Sequence, residues 1–345
     1  MKDLVRKLNQ LVSGGTESDV FAVLTLRDKL IASNGKPYYR VAFRDETKEV
    51  NFPIWENTPT FQLCDKNWEV GAHYKLRATY SEDRFGGKLD IRRIRLATEA
   101  DQADGYDPNM GVPRSKFDPE TMYGDIMRIL DENITDPGLL KLVRFIYESH
   151  RAEILKCSAA MGKHHACIGG LLEHTRNVLW TTVTLAKRYE TILPDLQPPL
   201  NRSVAAAGAA LHDIGKLREL HQTDTGFEYT AEGNLLGHIV IGRDYVRDAA
   251  AELRRTDKEF QLDFEVQLRL EHTILSHQRL PEWGSPKTNM TPESLLIHYA
   301  DDIDAKYYIM YAILRETPEG AEFSDTRNTM KTTIFKGLKH DETNE

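Results

Sequence analysis

The chain has 345 residues, 40% of them hydrophobic and 28% charged, which suits a globular protein of about two domains. Its longest apolar runs, such as Val204 to Leu211, fall far short of a membrane span, and the opening MKDLVRKLNQ lacks the apolar stretch of a secretory signal. Net charge is −8, which does not advertise a nucleic-acid partner, but it is uneven: residues 1–100 hold 17 Lys+Arg against 14 Asp+Glu, and residues 101–345 hold 28 against 39. An acidic half can still hold phosphates where metal ions supply the local positive charge. Cys64, Cys157 and Cys167 show no paired spacing for zinc or a disulfide framework, so a reducing cytoplasm is expected.

Taken in chain order, residues 1–18 open on what reads as a short amphipathic helix. Residues 19–97 alternate like strands. DVFAVLTLRD is followed, after the Ser33-Asn34-Gly35 turn, by KPYYRVAFRD and then by KEVNFPIW, where Pro53 hints at an edge or bulge. TPTFQLCDKN suits a short helix or turn, and AHYKLRATYS and GGKLDIRRIRLA complete five strands. A helix between the third and fourth strands is the order of a five-stranded OB-fold β-barrel; another small barrel or sandwich is the alternative. Residues 98–118, rich in Asp, Gly and Pro, predict a linker or extended arm. From 119 to 317 apolar residues recur at three- and four-residue steps, predicting an all-α domain with helices over 119–132, 137–149, 150–160, 168–189, 201–211, 235–254, 261–276 and 291–314. Residues 318–345 form a polar tail with a weak helix at 325–336. The fold class expected is therefore multidomain α and β.

The helical half carries His174, His212, Asp213, His238, His277 and Asp301, each in an apolar helical context where an unpaired polar group is costly. One such histidine is ordinarily a satisfied core residue. Six sites on successive helices make metal binding the better single account. Imidazole and carboxylate without thiolate suit Mn²⁺, Fe²⁺ or another first-row ion. His212 and Asp213 are adjacent, about 100° apart on an ideal helix, so they are not ordinary surface partners.

The spacing matches the His…His-Asp…Asp pattern of the HD superfamily of metal-dependent phosphohydrolases, and His238 and His277 add the two intervening histidines of its two-metal members. HHACIGGLLEHT, LHDIGKLREL, EYTAEGNLLGHIVIG, ILSHQRLPEWGSPK and HYADDIDAKY resemble, more closely, the YhaM-type 3′→5′ exoribonucleases. Those proteins also carry an N-terminal OB-fold, so the resemblance covers roughly residues 15–315.

That resemblance implies an HD-type helical domain in which His174, His212, Asp213 and Asp301 hold one ion. Asp213 bridges to a second ion held by His238 and His277. It favours Mn²⁺, with Fe²⁺, Co²⁺ or Mg²⁺ as alternatives, and hydrolysis of single-stranded RNA, possibly also ssDNA, to nucleoside 5′-monophosphates through a water activated by both ions. It places Lys163, His164 and His165 near the substrate path. One departure stands out: the family often reads Ser-His-His-Gly where this chain has Ser276-His277-Gln278-Arg279, which opens phosphate binding or a solvent-facing role to Arg279.

Other residues are read on their own chemistry. Lys216, on a neighbouring face to Asp213, is either a clamp for a phosphate oxygen in the catalytic step or a surface lysine at the helix end. Asp304, three residues past Asp301, is expected to orient a ligand, with His298 a further partner. His272 is expected to be structural. Trp283, Ser285 and Lys287 either stack a base and touch its backbone or form a lid over the core. In the barrel, Tyr38, Tyr39, Phe43, Phe52 and Trp55 offer stacking surfaces or fill the interior. Arg84, Lys88, Arg92, Arg93 and Arg95 crowd the last two strands as a strand-binding cluster. A phosphohydrolase acting on a nucleotide or cyclic dinucleotide, and an RNA-binding adaptor without chemistry, are the competing functions. The complete ligand set argues against the adaptor, and the barrel against a small substrate. Self-association as a homo-oligomer is compatible with the arm.

Overall fold

The computed structural model describes residues 5–83, 86–108, 110–162, 165–223 and 226–338. They form two compact units, Met1–Arg114 with Gln222–Gly226, and the remainder.

In the first unit, β1 (Ser18–Ile31), β2 (Pro37–Arg44), β3 (Glu49–Trp55), β4 (His73–Asp83) and β5 (Gly86–Leu96) form one antiparallel sheet in the order β3-β2-β1-β4-β5. The first half of β1 pairs with β4 and its length from Val23 onward pairs with β2. A register shift between Leu24 and Leu26 sits where the two pairings meet, and a bulge of this kind raises local twist. The twisted sheet curls until β3 and β5 approach each other, making the expected five-stranded OB barrel. Period-two alternation sends Val41 and Phe43, Val50, Phe52 and Ile54, and Leu76, Ala78 and Tyr80 inward. Pro53 lies on β3, a terminal strand of the sheet, where a missing N–H is tolerated. The helix between the third and fourth strands, α1 (Pro59–Asn67), has Pro at its first position and buries Phe61 and Cys64.

Two expectations are corrected and one is narrowed. The described part of residues 1–18 is not a helix but an extended arm with one 3-10 turn, Leu8–Gln10. Val5 bridges to Asp19, Leu8 and Leu11 enter the barrel core, and the Leu8 N–H donates to Asp45 at 2.6 Å. Burial of two leucines and a buried hydrogen bond outweigh local helix propensity. Of the two forms expected for residues 98–118, linker or extended arm, the segment is an ordered arm. A 3-10 turn, Glu99–Asp104, is held by a two-pronged bond from Arg95 to Asp101 at 2.6 and 2.7 Å, and Met110 and Val112 are buried. The weak helix at 325–336 is absent. Ser324 caps an irregular loop there, and Phe323 bridges to Phe335.

The second unit contains α2 (Pro119–Asn133), α3 (Pro137–Ser149), α4 (Arg151–Ile154), α5 (Gly170–Ile192), α6 (Arg202–Leu211), α7 (Lys216–Glu219), α8 (Ala231–Thr256), α9 (Phe264–Ser276) and α10 (Pro292–Glu316). A short hairpin, β6 (Leu220–Thr223) and β7 (Gly226–Tyr229), interrupts the helices and has no counterpart among the expected elements. Asp118, Asp136, Asn201, Thr230, Asp263 and Thr291 each cap a helix through a side-chain oxygen. The helix expected over 150–160 stops at Ile154. The chain beyond it turns, with Ser158 bonded to the carbonyls of Ala160 and His165. α6 is the centre of the unit: its small residues from Ser203 to Leu211 are all buried, which lets α5, α9 and α10 pack closely around it.

Candidate metal centre

The ends of helices bring the six residues together. α6 stops at Leu211 and the chain tightens, with the Ile214 N–H bonded to the Leu211 carbonyl and that of Lys216 to Asp213. This turn aims His212 and Asp213 into one place, where a continuing helix would have splayed them. His277 occupies the equivalent position one residue past α9. His174 comes from the first turns of α5 and Asp301 from the middle of α10. His238 follows a break in α8 at Gly237, whose φ of +72° admits glycine readily.

All four histidines share one arrangement. Each Nδ1 faces an acceptor: Asp304 for His174 (2.7 Å), the Ala209 carbonyl for His212 (2.8 Å), Glu219 for His238 (2.9 Å) and the Ile274 carbonyl for His277 (2.8 Å). An acceptor there requires Nδ1–H, so each Nε2 is directed at the shared centre. The Nε2 atoms of His174 and His212 lie 3.2 Å apart, and Asp301 Oδ1 is 3.2 Å from the former. Asp213 divides its oxygens. Oδ2 is 3.4 Å from Nε2 of both His174 and His212, and Oδ1 is 3.4 Å from His238 Nε2 and 3.7 Å from His277 Nε2.

Among the described residues three groups could hold an ion, and two of them meet at this centre: His174, His212 and Asp301, and Asp213, His238 and His277; the third is His165, His174 and Asp304. In the second group Asp213 Oδ1, His238 Nε2 and His277 Nε2 are buried without any hydrogen bond. Three such atoms converging on one point would be expensive to bury, and a cation satisfies all three at once. The C-termini of α6 and α9 add negative dipole ends beside His212 and His277. The donor chemistry, neutral imidazole and carboxylate with no thiolate, fits a divalent first-row ion.

Electrostatics point the same way. Burial opposes protonation of His174, but its bonds to Asp301 and Asp304 outweigh it and push the imidazole up to about 10. Burial alone would raise Asp213; Lys216, His212 and His238 instead hold its carboxyl well below the usual range. Asp301 and Asp304 are likewise lowered, against burial, by their histidines. His277 is pushed down to about 3 by burial and by the neighbouring His212.

Lys216 is buried, not a surface lysine, and donates to Asp213 Oδ2 at 2.5 Å. Gly215 before it permits this, since a Cβ there would lie 2.0 Å from the His238 carbonyl oxygen. Asp304, besides its contact with His174, accepts from Asn177 Nδ2 at 2.9 Å and meets His165 Nε2 at 3.0 Å. His165 is therefore not on an open substrate path. It is 1% exposed, its ring packed 4.0 Å from that of Tyr308, because Asp304 and Glu173 draw it inward. His298 bonds the His277 carbonyl at 2.8 Å, supporting the backbone of that residue rather than its ring. Trp283 is half exposed and stacks on His298. Ser285 is buried, whereas Arg279 and Lys287 are exposed. His272 is structural, accepting the Met290 N–H at 3.0 Å. Glu219 escapes a reading of the sequence. Its only signal there is a carboxylate six residues after Asp213, and the hairpin return that carries it to His238 has no local signature.

In the barrel, Tyr39, Phe43 and Phe52 fill the core, while Tyr38 and Trp55 pair on the surface with ring centres 4.9 Å apart. Arg92 and Arg93 are exposed and line a cleft of about 670 Å³ with Lys75, Arg77 and Arg95. Lys88 is also exposed, and Arg95 is committed to Asp101. Arg84, Lys163 and His164 lie outside the described residues.

Residues 171–306 match the HD domain family. The chain is 32% identical over 309 residues to the 3′-5′ exoribonuclease YhaM of Bacillus subtilis (strain 168), covering 89% of this chain and 90% of that one. The chain belongs to the YhaM family. Membership makes it a nuclease of the HD phosphohydrolase type. Among solved structures it is similar to a domain of replication protein A from Methanococcus maripaludis (13% identity, 28% of this chain and 98% of that one, TM-score 0.22). It is also similar to the OB domain of Ta0387 from Thermoplasma acidophilum (12% identity, 27% and 87%, TM-score 0.20). No helix among the described residues is long and apolar enough to cross a membrane.

Proposed function

We propose that this YhaM-family chain is a 3′→5′ exonuclease that shortens single-stranded RNA, and ssDNA where offered, to nucleoside 5′-monophosphates in the cytoplasm. The observation that carries the proposal is the division of Asp213: one oxygen turned to each of two ligand groups, with three unsatisfied buried atoms in the second. His174, His212, Asp301 and Asp213 Oδ2 would hold one ion, and Asp213 Oδ1, His238 and His277 the other. Two divalent ions, Mn²⁺ being the best match to the family, supply Lewis acidity toward the phosphate and lower the pKa of a water nucleophile.

The chain's own residues do the rest. Asp304 and Glu219 fix the rotamers and tautomers of His174 and His238, so the donors are set before substrate arrives. Lys216 neutralises Asp213 and, being raised in pKa by it, stays cationic; it is placed to hold a non-bridging phosphate oxygen as charge builds. Arg279, Lys287 and Trp283, exposed beyond α9, are available to the strand. Arg92 and Arg93 give the barrel unit a basic cleft for the phosphate backbone.

Metal-depleted protein given Mn²⁺ and a 5′-labelled single-stranded RNA should produce a ladder shortening from the 3′ end, absent in Asp213→Ala. An intact strand, with turnover of a nucleotide or cyclic dinucleotide instead, would replace this function with small-molecule phosphohydrolysis.

A further inference from the structure

Away from the ligands, α10 presents Tyr311 at the surface, 47% exposed, and the segment before α2 presents Phe117, 38% exposed. Three cations gather on these two rings. Lys116 Nζ lies 5.1 Å from the centre of Phe117 and 5.4 Å from that of Tyr311. The guanidinium of Arg176 is 4.6 Å from Phe117 and that of Arg315 is 5.6 Å from Tyr311. Lys116 and Arg315 lie over ring faces, Lys116 also within electrostatic reach of Glu173, while Arg176 has Asp125 at 3.6 Å. Three cations around two half-exposed rings outnumber the one carboxylate that pairs closely with them, Asp125, and leave a patch of net positive charge with flat apolar faces.

Packed side chains beneath the surface link the patch to the candidate metal centre. Tyr311 touches Tyr308 (6.5 Å between ring centres), Tyr308 packs on His165 (4.0 Å), and His165 meets Asp304, which holds His174. Tyr311 lies about ten residues beyond Asp301 on the same helix, a rise of ~15 Å. At ~3.4 Å per stacked nucleotide that is roughly four nucleotides.

We propose that Lys116, Phe117, Arg176, Tyr311 and Arg315 form a subsite that stacks a base, and neutralises the adjoining phosphate, of the strand some four nucleotides upstream of the scissile bond. The proposal rests on the exonuclease function above and names a second hold on its substrate. A basic, aromatic patch is what a single strand needs, because every base has a stackable face and every linkage a charge. A dinucleotide or a small diester would not reach it.

The test uses the full chain with Mn²⁺. Two substrates are compared, an RNA of about ten nucleotides and the chromogenic diester bis(p-nitrophenyl) phosphate; binding of the labelled RNA is measured separately in EDTA. Tyr311→Ala and Phe117→Ala should each raise KM and Kd for the RNA by about five- to a hundredfold, the range that removal of a base-stacking ring produces. Diester turnover should stay unchanged. Tyr311→Phe should restore RNA binding, and Phe264→Ala, which removes a still more exposed aromatic on α9, should change nothing. Unchanged Kd and KM in both alanine variants would overturn the subsite, as would a parallel fall in diester turnover, which marks a structural role. Wild-type protein that binds the RNA through Tyr311 but does not shorten it would sink the exonuclease function and leave the subsite standing.

Discussion

The orientation of each histidine at the centre is set by what its Nδ1 touches, and the four partners are not equivalent. Two are main-chain carbonyls, beyond the reach of substitution; the other two are the carboxylates of Asp304 and Glu219. Glu219→Gln should therefore weaken one ion selectively, by about 10–100-fold, and Asp304→Asn the other. Titration with Mn²⁺ should then show one tight and one weakened site in each variant, and simultaneous loss of both would argue against two separable groups. The shifted imidazoles predict a pH profile as well. His174, raised from 6.5 to about 10, stabilises the metal-free fold fully below pH 6.5, and that contribution fades as pH climbs toward 10. His277, lowered from 6.5 to about 3, contributes fully above pH 6.5 and fades as pH falls toward 3. Their joint contribution peaks near pH 6.5. Tm of the metal-free protein should decline on both sides, and Mn²⁺ should lift the alkaline side most, because there the ion no longer has to displace the His174 proton. A profile that keeps rising from pH 6.5 to 10 without metal would contradict the assignment to His174.

At the scale of elements, the centre is made where helices stop. His212 and His277 lie one residue past α6 and α9, each Nδ1 taking up a carbonyl of the last turn that would otherwise go unpaired. α8 is broken at Gly237 so that both the N–H and Nδ1 of His238 reach Glu219. The approach of α7 to α8 depends on Gly215, where a methyl would meet the His238 carbonyl and the Gly242 nitrogen. Gly215→Ala should cost about 1–3 kcal/mol by urea unfolding, as overpacking does, and should also displace His238. Its Mn²⁺ stoichiometry should drop even in the fraction that remains folded. Full stability with both ions retained would mean that α8 moves aside at no cost.

For the whole molecule, charge separates the tasks. The acidic majority is in the helical unit, which contains the candidate metal ligands, and the basic cleft of Arg92 and Arg93 is in the barrel unit. Arg92→Ala combined with Arg93→Ala should raise KM for a long RNA and leave kcat nearly unchanged. It should also reduce the slope of log binding constant against log salt by about 0.7 for each phosphate that is no longer neutralised. A fall in kcat with an unchanged salt slope would place these arginines outside the strand path. The cysteines take no part: burial pushes Cys64, Cys157 and Cys167 up to about 12, which keeps them as unreactive thiols.

Strand alternation, helical periodicity and the dispersed His and Asp residues are legible in the sequence because each is a local pattern or a residue type with few other uses. So are the five strands, the helix between the third and fourth, most helix limits and the six central residues. Lys216, His165, Glu219 and Ser285 are not. Lys216 pairs with Asp213 only three residues away, but its burial depends on the helices packed over it, and whether His165 faces a substrate or Asp304 depends on a pairing 139 positions apart, neither of which a local pattern encodes. The N-terminal arm fails as a helix for the same reason, since the barrel offers Leu8 and Leu11 more burial than a helix could. The sequence by itself determined most of the elements and the residue types of the candidate ligands. Only the tertiary structure decided which side chains face the centre, because that follows from where each helix ends and what packs behind it.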